Sequence, residues 1–225
     1  MKLFATYFSS AALGAVLAFS TLSALAVGDN KPEAVKPTPA KVVPAAYKPD
    51  LAKGQASFAT CAGCHGVDGN SAAPANPKLA QQHPEYLVKQ LQEYKSGKRA
   101  NAIMTGMAAT LSEEDMKNIA YWVTANKAKL GSATDKDLVA LGERIYRGGV
   151  AERQITACAG CHSPNGAGIP AQYPRLSGQQ AEYTAAQLTY FRDGIRKNNL
   201  QMTQIAAKLN DREIKALADY IAGLR

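Results

Sequence analysis

The chain has 225 residues, enough for one large domain or two small ones. Its formal charge is +8 and its pI is near 9.3, a balance that suits nucleic acid, an acidic membrane surface or acidic patches on other proteins. The basic residues are scattered, however, and no lysine- and arginine-rich cluster is interleaved with aromatic residues, so the pattern argues against a nucleic-acid partner. The charge therefore favours docking to acidic patches on partner proteins.

Residues 1–26 resemble a secretory signal peptide, with Lys2 in the positive region, an apolar run over residues 11–22 and an Ala24-Leu25-Ala26 cleavage site. The apolar run is shorter than the roughly 20 residues that a spanning helix needs. We therefore expect cleavage after Ala26, with an uncleaved membrane anchor as the alternative. Residues 27–49 are rich in proline and lysine, which predicts an extended, mobile linker.

A five-residue motif occurs twice, as Cys61-Ala-Gly-Cys64-His65 and as Cys158-Ala-Gly-Cys161-His162. The pattern C-x-x-C-H is typical of c-type haem attachment. Two thiols one turn apart can each form a thioether with a haem vinyl group, and the adjacent histidine then lies beside the iron as an axial ligand. The sequence therefore predicts two covalently bound haem c groups. The alternative, disulfides or zinc ligands, does not explain why a histidine follows each pair.

The chain is also an internal repeat. Superposing Cys61 on Cys158 shifts the numbering by 97, and one inserted residue later raises the shift to 98. Pro77-Lys78-Leu79 then matches Pro174-Arg175-Leu176, and Arg99 matches Arg196. We expect one domain over residues 50–129 and a second over residues 137–225, joined by residues 130–136.

Each half is predicted to be helical. First helices are expected at about 50–60 and 137–147, and second helices at 84–97 and 179–194. Last helices should begin at two capping boxes, Ser112-Glu-Glu-Asp115 and Asn210-Asp-Arg-Glu213. No alternating run typical of a strand is present, so the predicted fold class is all-α. Tyr146 precedes Cys158 by 12 residues, whereas its counterpart Phe58 precedes Cys61 by 3. The second half therefore has nine extra residues before its motif.

The second axial ligand of each iron is expected to be a methionine. The remaining histidine, His83, matches Gln180 in the repeat, so we expect it to lie exposed at a helix start. Met104 lies 39 residues after His65, and its repeat partner Met202 lies 40 after His162. We predict that both methionines ligate iron from a loop ahead of the last helix. Met107 is the competitor in the first half, and Met107 and Met116 are otherwise expected to be core, because isoleucines replace them in the second half.

Histidine–methionine ligation would fill both axial positions of each iron. A thioether favours Fe(II), and a closed iron has no site for oxygen, peroxide or substrate. The predicted activity is electron transfer rather than catalysis.

The order of helix, C-x-x-C-H, proline-leucine loop, methionine segment and last helix resembles class I cytochrome c, and the doubled version resembles the cytochrome c4 family. The resemblance covers residues 50–225 and implies two tandem class I domains related by a pseudo-twofold axis, with haems close enough to exchange electrons. It also implies haem-side roles for two prolines, whose carbonyls hold the axial histidines, and for two leucines, which pack on the haem: Pro77, Leu79, Pro174 and Leu176. The first and last helices would cross at small and aromatic residues: Gly54, Phe58 and Trp122 in the first half, and Gly142, Tyr146 and Tyr220 in the second.

Together these features predict a periplasmic di-haem carrier that moves electrons between a respiratory donor complex and a terminal oxidase or similar acceptor. Export agrees with the leader, since bacterial c-type haem is attached outside the cytoplasm. A haem subunit of a dehydrogenase complex and a di-haem peroxidase are the alternatives. The sequence leaves open a peripheral or N-terminally anchored association with a membrane.

Overall fold

A computed structural model describes residues 47–225. This part of the chain forms ten α-helices, five in each half, which we number in chain order. The first half contains α1 (Leu51–Phe58), α2 (Ala62–His65), α3 (Pro84–Lys95), α4 (Ala102–Ala109) and α5 (Glu113–Ala125). The second half contains α6 (Lys136–Gly148), α7 (Ala159–His162), α8 (Ala181–Arg192), α9 (Leu200–Ala206) and α10 (Asp211–Gly223).

The predicted leader, and the predicted linker up to residue 46, lie outside the described residues. The end of the linker is described and docks on α5, because the Tyr47 hydroxyl donates to Asn118 Oδ1 at 2.7 Å. None of the helices in residues 47–225 is both long and apolar enough to cross a membrane.

The first and last helices of each half cross at a glycine of the first helix, which has no side chain and so lets the two backbones come close. A Cβ atom on Gly54 would lie 2.2 Å from the Asn118 carbonyl oxygen, and one on Gly142 would lie 2.1 Å from the Ala216 carbonyl oxygen. Aromatic rings pack beside each crossing, with centroids 5.0 Å apart for Phe58 and Trp122 and 5.4 Å apart for Tyr146 and Tyr220. The predicted helix crossing is therefore confirmed in both halves.

The helix ends follow the sequence signals closely. Both capping boxes form, with Ser112 and Asp115 at the start of α5 and with Asn210 and Glu213 at the start of α10. Each exchanges two side chain–backbone hydrogen bonds and so satisfies donors that a helix start leaves unpaired. Helix α3 starts at Pro84 as predicted and ends before Gly97, whose φ of +76° suits glycine.

The fold is all-α, as predicted. Residues 47–225 contain no strand, and two isolated bridges join Val150 to Ile155 and Ile169 to Tyr173. The first of these closes the insertion ahead of the second motif, which also contains a 3₁₀ turn over Ala151–Arg153.

Reciprocal contacts across the chain show the pseudo-twofold relation between the halves. Arg99 donates to the Tyr183 hydroxyl at 3.0 Å, and its repeat partner Arg196 donates to the Tyr86 hydroxyl at 3.2 Å. Tyr86 and Tyr183 are themselves 97 residues apart. When residue i contacts j and the equivalent of j contacts the equivalent of i, the interface is self-complementary, as in a twofold dimer.

The glycine crossing predicts a local stability effect. Gly142→Ala should lower the free energy of unfolding of the haem-loaded protein by about 1–3 kcal/mol, because the new methyl group meets a helix backbone that cannot yield. Gly148→Ala is the control, because it lies in the same helix and a Cβ added there would meet no other described residue outside its own helix backbone and chain neighbours within 4 Å. It should change stability by no more than about 1 kcal/mol. Urea unfolding followed by circular dichroism measures both; equal losses would contradict the tight crossing.

Candidate haem sites

Each motif histidine is held by the carbonyl oxygen of a proline 12 residues later. His65 Nδ1 lies 3.0 Å from Pro77 O, and His162 Nδ1 lies 3.0 Å from Pro174 O. A carbonyl can only accept, so Nδ1 carries the proton and the opposite nitrogen, Nε2, keeps its lone pair. That tautomer is the one in which a histidine can bind iron through Nε2.

Both histidines lie buried at the ends of one-turn helices, α2 and α7. Burial lowers the pKa of His65 and of His162, against an opposing contribution from the proline carbonyls. The neutral ring is the form that binds a metal, and burial favours it at both histidines.

Within residues 47–225, no disulfide joins the four motif cysteines. Burial raises the pKa of the Cys61 thiol and raises that of the Cys158 thiol to about 11. In the first half, Cys61 and Leu79 pack against one hydrophobic cluster. In the second half, Cys158, Leu176 and Met202 pack against a single core, so the structure brings these three predicted site residues together.

The two methionines predicted as ligands lie in helices, and the expectation that they lie in a loop was wrong. Met104 is in α4 and Met202 is in α9. Asn101 caps α4 by accepting from the Met104 N–H at 2.9 Å, and Asn199 caps α9 by accepting from the Met202 N–H at 2.8 Å. Each methionine is therefore the third residue of its helix, and its backbone is fixed by the cap.

The other candidate ligands have different surroundings. Met116 is 1% exposed and belongs to the core, whereas Met107 is 38% exposed on the surface. Met107 was therefore wrongly expected to be core. His83 was expected to be exposed, but it is partly buried and its Nε2 lies 2.9 Å from the Ala167 carbonyl oxygen in the other half.

The basic side chains on the two proline loops, Lys78 and Arg175, fit the negatively charged propionates of a haem. Arg175 Nε is buried and has no hydrogen-bond partner among the described residues. Burial lowers the pKa of Arg175 and of Lys78, its repeat equivalent. Within residues 47–225, no carboxylate forms an ion pair with either side chain. Haem carries two propionates, and such carboxylates are the partners that partly buried cations require.

The sequence did not predict a polar network that fills the interface between the halves. Gln90 Oε1 accepts from Arg99, Arg196 and Asn198, and Gln187 Oε1 accepts from both arginines. Nearly all polar groups buried in a protein must find such partners, so the network fixes how the halves meet. The sequence did contain a signal for this network, because Gln90 recurs as Gln187 and Arg99 recurs as Arg196 at the repeat shift of 97.

Glu93 carries the negative charge of this network. It is buried, and its Oε2 accepts from Lys89 at 2.7 Å and from Asn198 at 2.7 Å, while Lys98 pairs with its Oε1 at 3.2 Å. Burial raises the pKa of Glu93, but the hydrogen bonds from Lys89, Asn198 and Lys98 lower it more, so the net shift is downward.

Comparison with known proteins agrees with this geometry. The family model described as Cytochrome c matches residues 51–127 and again residues 139–225. The chain is 49% identical over 188 residues to cytochrome c4 of Azotobacter vinelandii, covering 78% of this chain and 89% of that protein. It is 41% identical over 169 residues to a thiosulfate dehydrogenase electron acceptor of Stutzerimonas stutzeri (strain A1501), covering 73% of this chain and 78% of that protein.

Among solved structures, reduced recombinant cytochrome c4 from Pseudomonas stutzeri has a TM-score of 0.75 at 45% identity. The match covers 79% of this chain and all of that one. A similarity of this extent includes both halves and their relative placement.

The lowered pKa of Glu93 predicts acid sensitivity at the interface. Its contribution to the free energy of unfolding should be complete above the unfolded carboxyl pKa, about 4.3, and should be lost as pH falls through the lower folded value. Glu93→Gln should therefore be less stable than the natural protein at pH 7, and the difference should shrink below about pH 4. Urea unfolding at a series of pH values measures it.

Glu114→Gln is the control, because Glu114 is exposed and its one ion pair within residues 47–225 is with the exposed Lys53. Its difference from the natural protein should stay small at every pH. A Glu93→Gln difference that does not depend on pH would contradict the assignment.

Proposed function

Because this chain belongs to the cytochrome c4 family, we propose that it passes electrons in the periplasm through two irons, each closed by a histidine and a methionine. The chain is a di-haem electron-transfer protein, an electron carrier and not an enzyme, with two covalently bound haem c groups. Each haem supplies a one-electron Fe(III)/Fe(II) couple. The residues that hold the haems, the compartment and the partners are the parts that we propose.

The attachment proposal rests on the two motifs. Cys61 and Cys64 would hold the first haem, and Cys158 and Cys161 the second, because the two cysteines of each pair are three residues apart in the sequence, about one helical turn. Leu79 and Leu176 follow the proline loops and would pack against the haem faces.

The ligand proposal rests on one observation: the same histidine–proline hydrogen bond and the same asparagine-capped methionine occur in both halves. His65 and Met104 would ligate one iron, and His162 and Met202 the other. A residue required by chemistry in both domains should recur in both, and Met104 recurs whereas Met107 does not. The methionine thioether would raise both potentials, and closure would exclude a peroxidase reaction at either iron.

The proposed partners are a periplasmic or membrane-bound electron donor complex and a terminal oxidase or a similar acceptor. The support is the basic balance of the chain, which stays positive after Lys2 is removed with the leader and the haem propionates are added. A positive charge suits acidic docking patches and accelerates association at low salt. Periplasmic location is proposed from the leader-like residues 1–26 and from the attachment chemistry.

A second candidate function is favoured by a specific relative, the thiosulfate dehydrogenase electron acceptor that shares 41% identity with this chain. In that function the protein would accept electrons from a dehydrogenase that oxidises thiosulfate. The two functions use the same haem residues and differ in the donor. Co-purification with a catalytic dehydrogenase subunit would favour the second.

A spectroscopic redox titration of the purified protein tests the proposal. Two one-electron transitions with a sharp ferrous α-band are expected, together with the weak near-infrared iron–sulfur band in the ferric state. Met104→Ala should remove that band from one haem, because it removes the sulfur ligand, and should lower the potential of that haem.

Met107→Ala is the matched control, three residues away on the exposed side of α4, and should keep both bands. Retention of both bands in Met104→Ala, or loss of one in Met107→Ala, would overturn the assignment of Met104.

A further inference from the structure

The peptide group that holds each histidine also bonds to a glutamine of the other half. In the second half, the carbonyl oxygen of the Pro174–Arg175 peptide accepts a hydrogen bond from His162 Nδ1 at 3.0 Å. The N–H of the same peptide donates to Gln82 Oε1 at 2.8 Å. An unbroken chain of two hydrogen bonds and one peptide therefore links a glutamine of the first half to the predicted iron ligand of the second.

The reverse chain is present as well. The carbonyl oxygen of the Pro77–Lys78 peptide accepts a hydrogen bond from His65 Nδ1 at 3.0 Å, and the N–H of this peptide donates to Gln179 Oε1 at 2.9 Å. Gln82 and Gln179 are 97 residues apart and so occupy equivalent positions in the repeat. Each half thus contacts the ligand support of the other in the same way.

Both glutamine side chains are fixed in orientation by further bonds. Gln82 Nε2 donates to the Arg175 carbonyl oxygen at 2.9 Å, and Gln179 Nε2 donates to the Lys78 carbonyl oxygen at 2.9 Å. Each Oε1 also accepts the N–H of the next residue in its own chain, at 3.0 Å. With nitrogen and oxygen each matched to its proper partner, the amide cannot flip without losing bonds.

We propose that Gln82 and Gln179 are positioning residues that set the reduction potential of the haem in the opposite domain. This inference rests on the proposed ligation by His65 and His162. Neither glutamine touches the reacting atoms; each acts through a peptide.

The physical basis is the polarisation of hydrogen bonds in series. An acceptor on the peptide N–H draws charge onto the peptide oxygen, which then accepts more strongly from the histidine Nδ1. When the carbonyl oxygen accepts more strongly from the Nδ1 proton, the histidine donates more electron density to the iron through Nε2 and stabilises Fe(III). Each glutamine therefore lowers the potential of the haem in the other half, and its loss should raise that potential.

Other interface glutamines differ in this respect. Gln187 bonds to the side chains of Arg99 and Arg196, and among the described contacts it has none with a proline-loop peptide. It thus shares the cross-domain binding of Gln82 without the link to a histidine, and serves as the matched control.

The test is a redox titration of the haem-loaded Gln82→Met and Gln187→Met proteins, with the two haems distinguished by their assigned haem-methyl proton signals. Methionine keeps the length of the side chain and removes both polar atoms. Gln82→Met should raise the potential of the haem at Cys158–His162, shifting the electron-exchange equilibrium between the haems by roughly 3–10-fold. The haem at Cys61–His65 should shift much less. Gln179→Met should raise the potential of the haem at Cys61–His65 instead. Gln187→Met should not shift the potential of either haem selectively.

A second readout does not depend on the iron couple. Hydrogen exchange at the Arg175 amide, measured by NMR in the ferrous protein, should be at least 10-fold faster in Gln82→Met than in Gln187→Met, because the amide loses its acceptor. Should Gln82→Met fail to fold, Gln179→Met removes the equivalent contact in the opposite direction and should raise the potential of the haem at Cys61–His65 selectively. An unchanged or lowered potential of that haem would overturn the proposal.

Equal shifts at both haems, a shift confined to the haem of the substituted half, or the same shift in Gln187→Met would also overturn it. These results leave the proposed function intact as long as the natural protein shows two low-spin haems with iron–sulfur bands. Absence of those bands in the natural protein would overturn the ligand proposal and this inference together.

Discussion

The hydrogen bond from each histidine Nδ1 to a proline carbonyl is the contact on which the two sites depend. It selects the histidine tautomer, orients the ring and leaves Nε2 for a metal. The contact requires that the proline loop return to the end of a one-turn helix. Gly69 and Gly166 allow this return, because their φ angles of +79° and +71° suit glycine. Gly69 accepts on its carbonyl oxygen from the N–H groups of Leu79 and Ala80, and Gly166 does so from Leu176 and Ser177.

The same loops also form the interface between the domains. Gln82 and Gln179 join the residue after each proline to the opposite half, and Arg99 and Arg196 add a buried network behind them. An interface that bonds directly to the ligand supports cannot shift without disturbing both sites. Electron transfer gains from such rigidity, because nuclei that move little on reduction present a small barrier.

The sequence predicted what depends on local signals. The capping boxes and the first, second and last helices of each half follow from spacing and residue type over a few positions, whereas the glycine crossings were implied by the resemblance to class I cytochrome c. The helices that hold Met104 and Met202 were taken for loops, because each is only seven or eight residues long and is determined by a single asparagine cap. His83 was expected to face solvent, since its acceptor, Ala167, is 84 residues away in the chain.

The interface was the part that sequence reasoning missed. Its glutamines look like ordinary surface residues until the second domain covers them. The repeat contained the signal, because Gln82 and Gln179, and Gln90 and Gln187, recur at the same shift as the haem motifs. Glu93 has no such counterpart, as Tyr190 occupies the equivalent position, so its role follows from tertiary packing alone.

The central claim is that each iron is bound by one nitrogen-donating histidine and one sulfur-donating methionine. Iron-edge X-ray absorption of the haem-loaded protein counts sulfur neighbours directly, independent of partners or activity. Histidine–methionine ligation predicts an average of about one sulfur per iron in both oxidation states. An average near one half would mean that one of the two methionines does not ligate, and an average near zero would contradict the account for both.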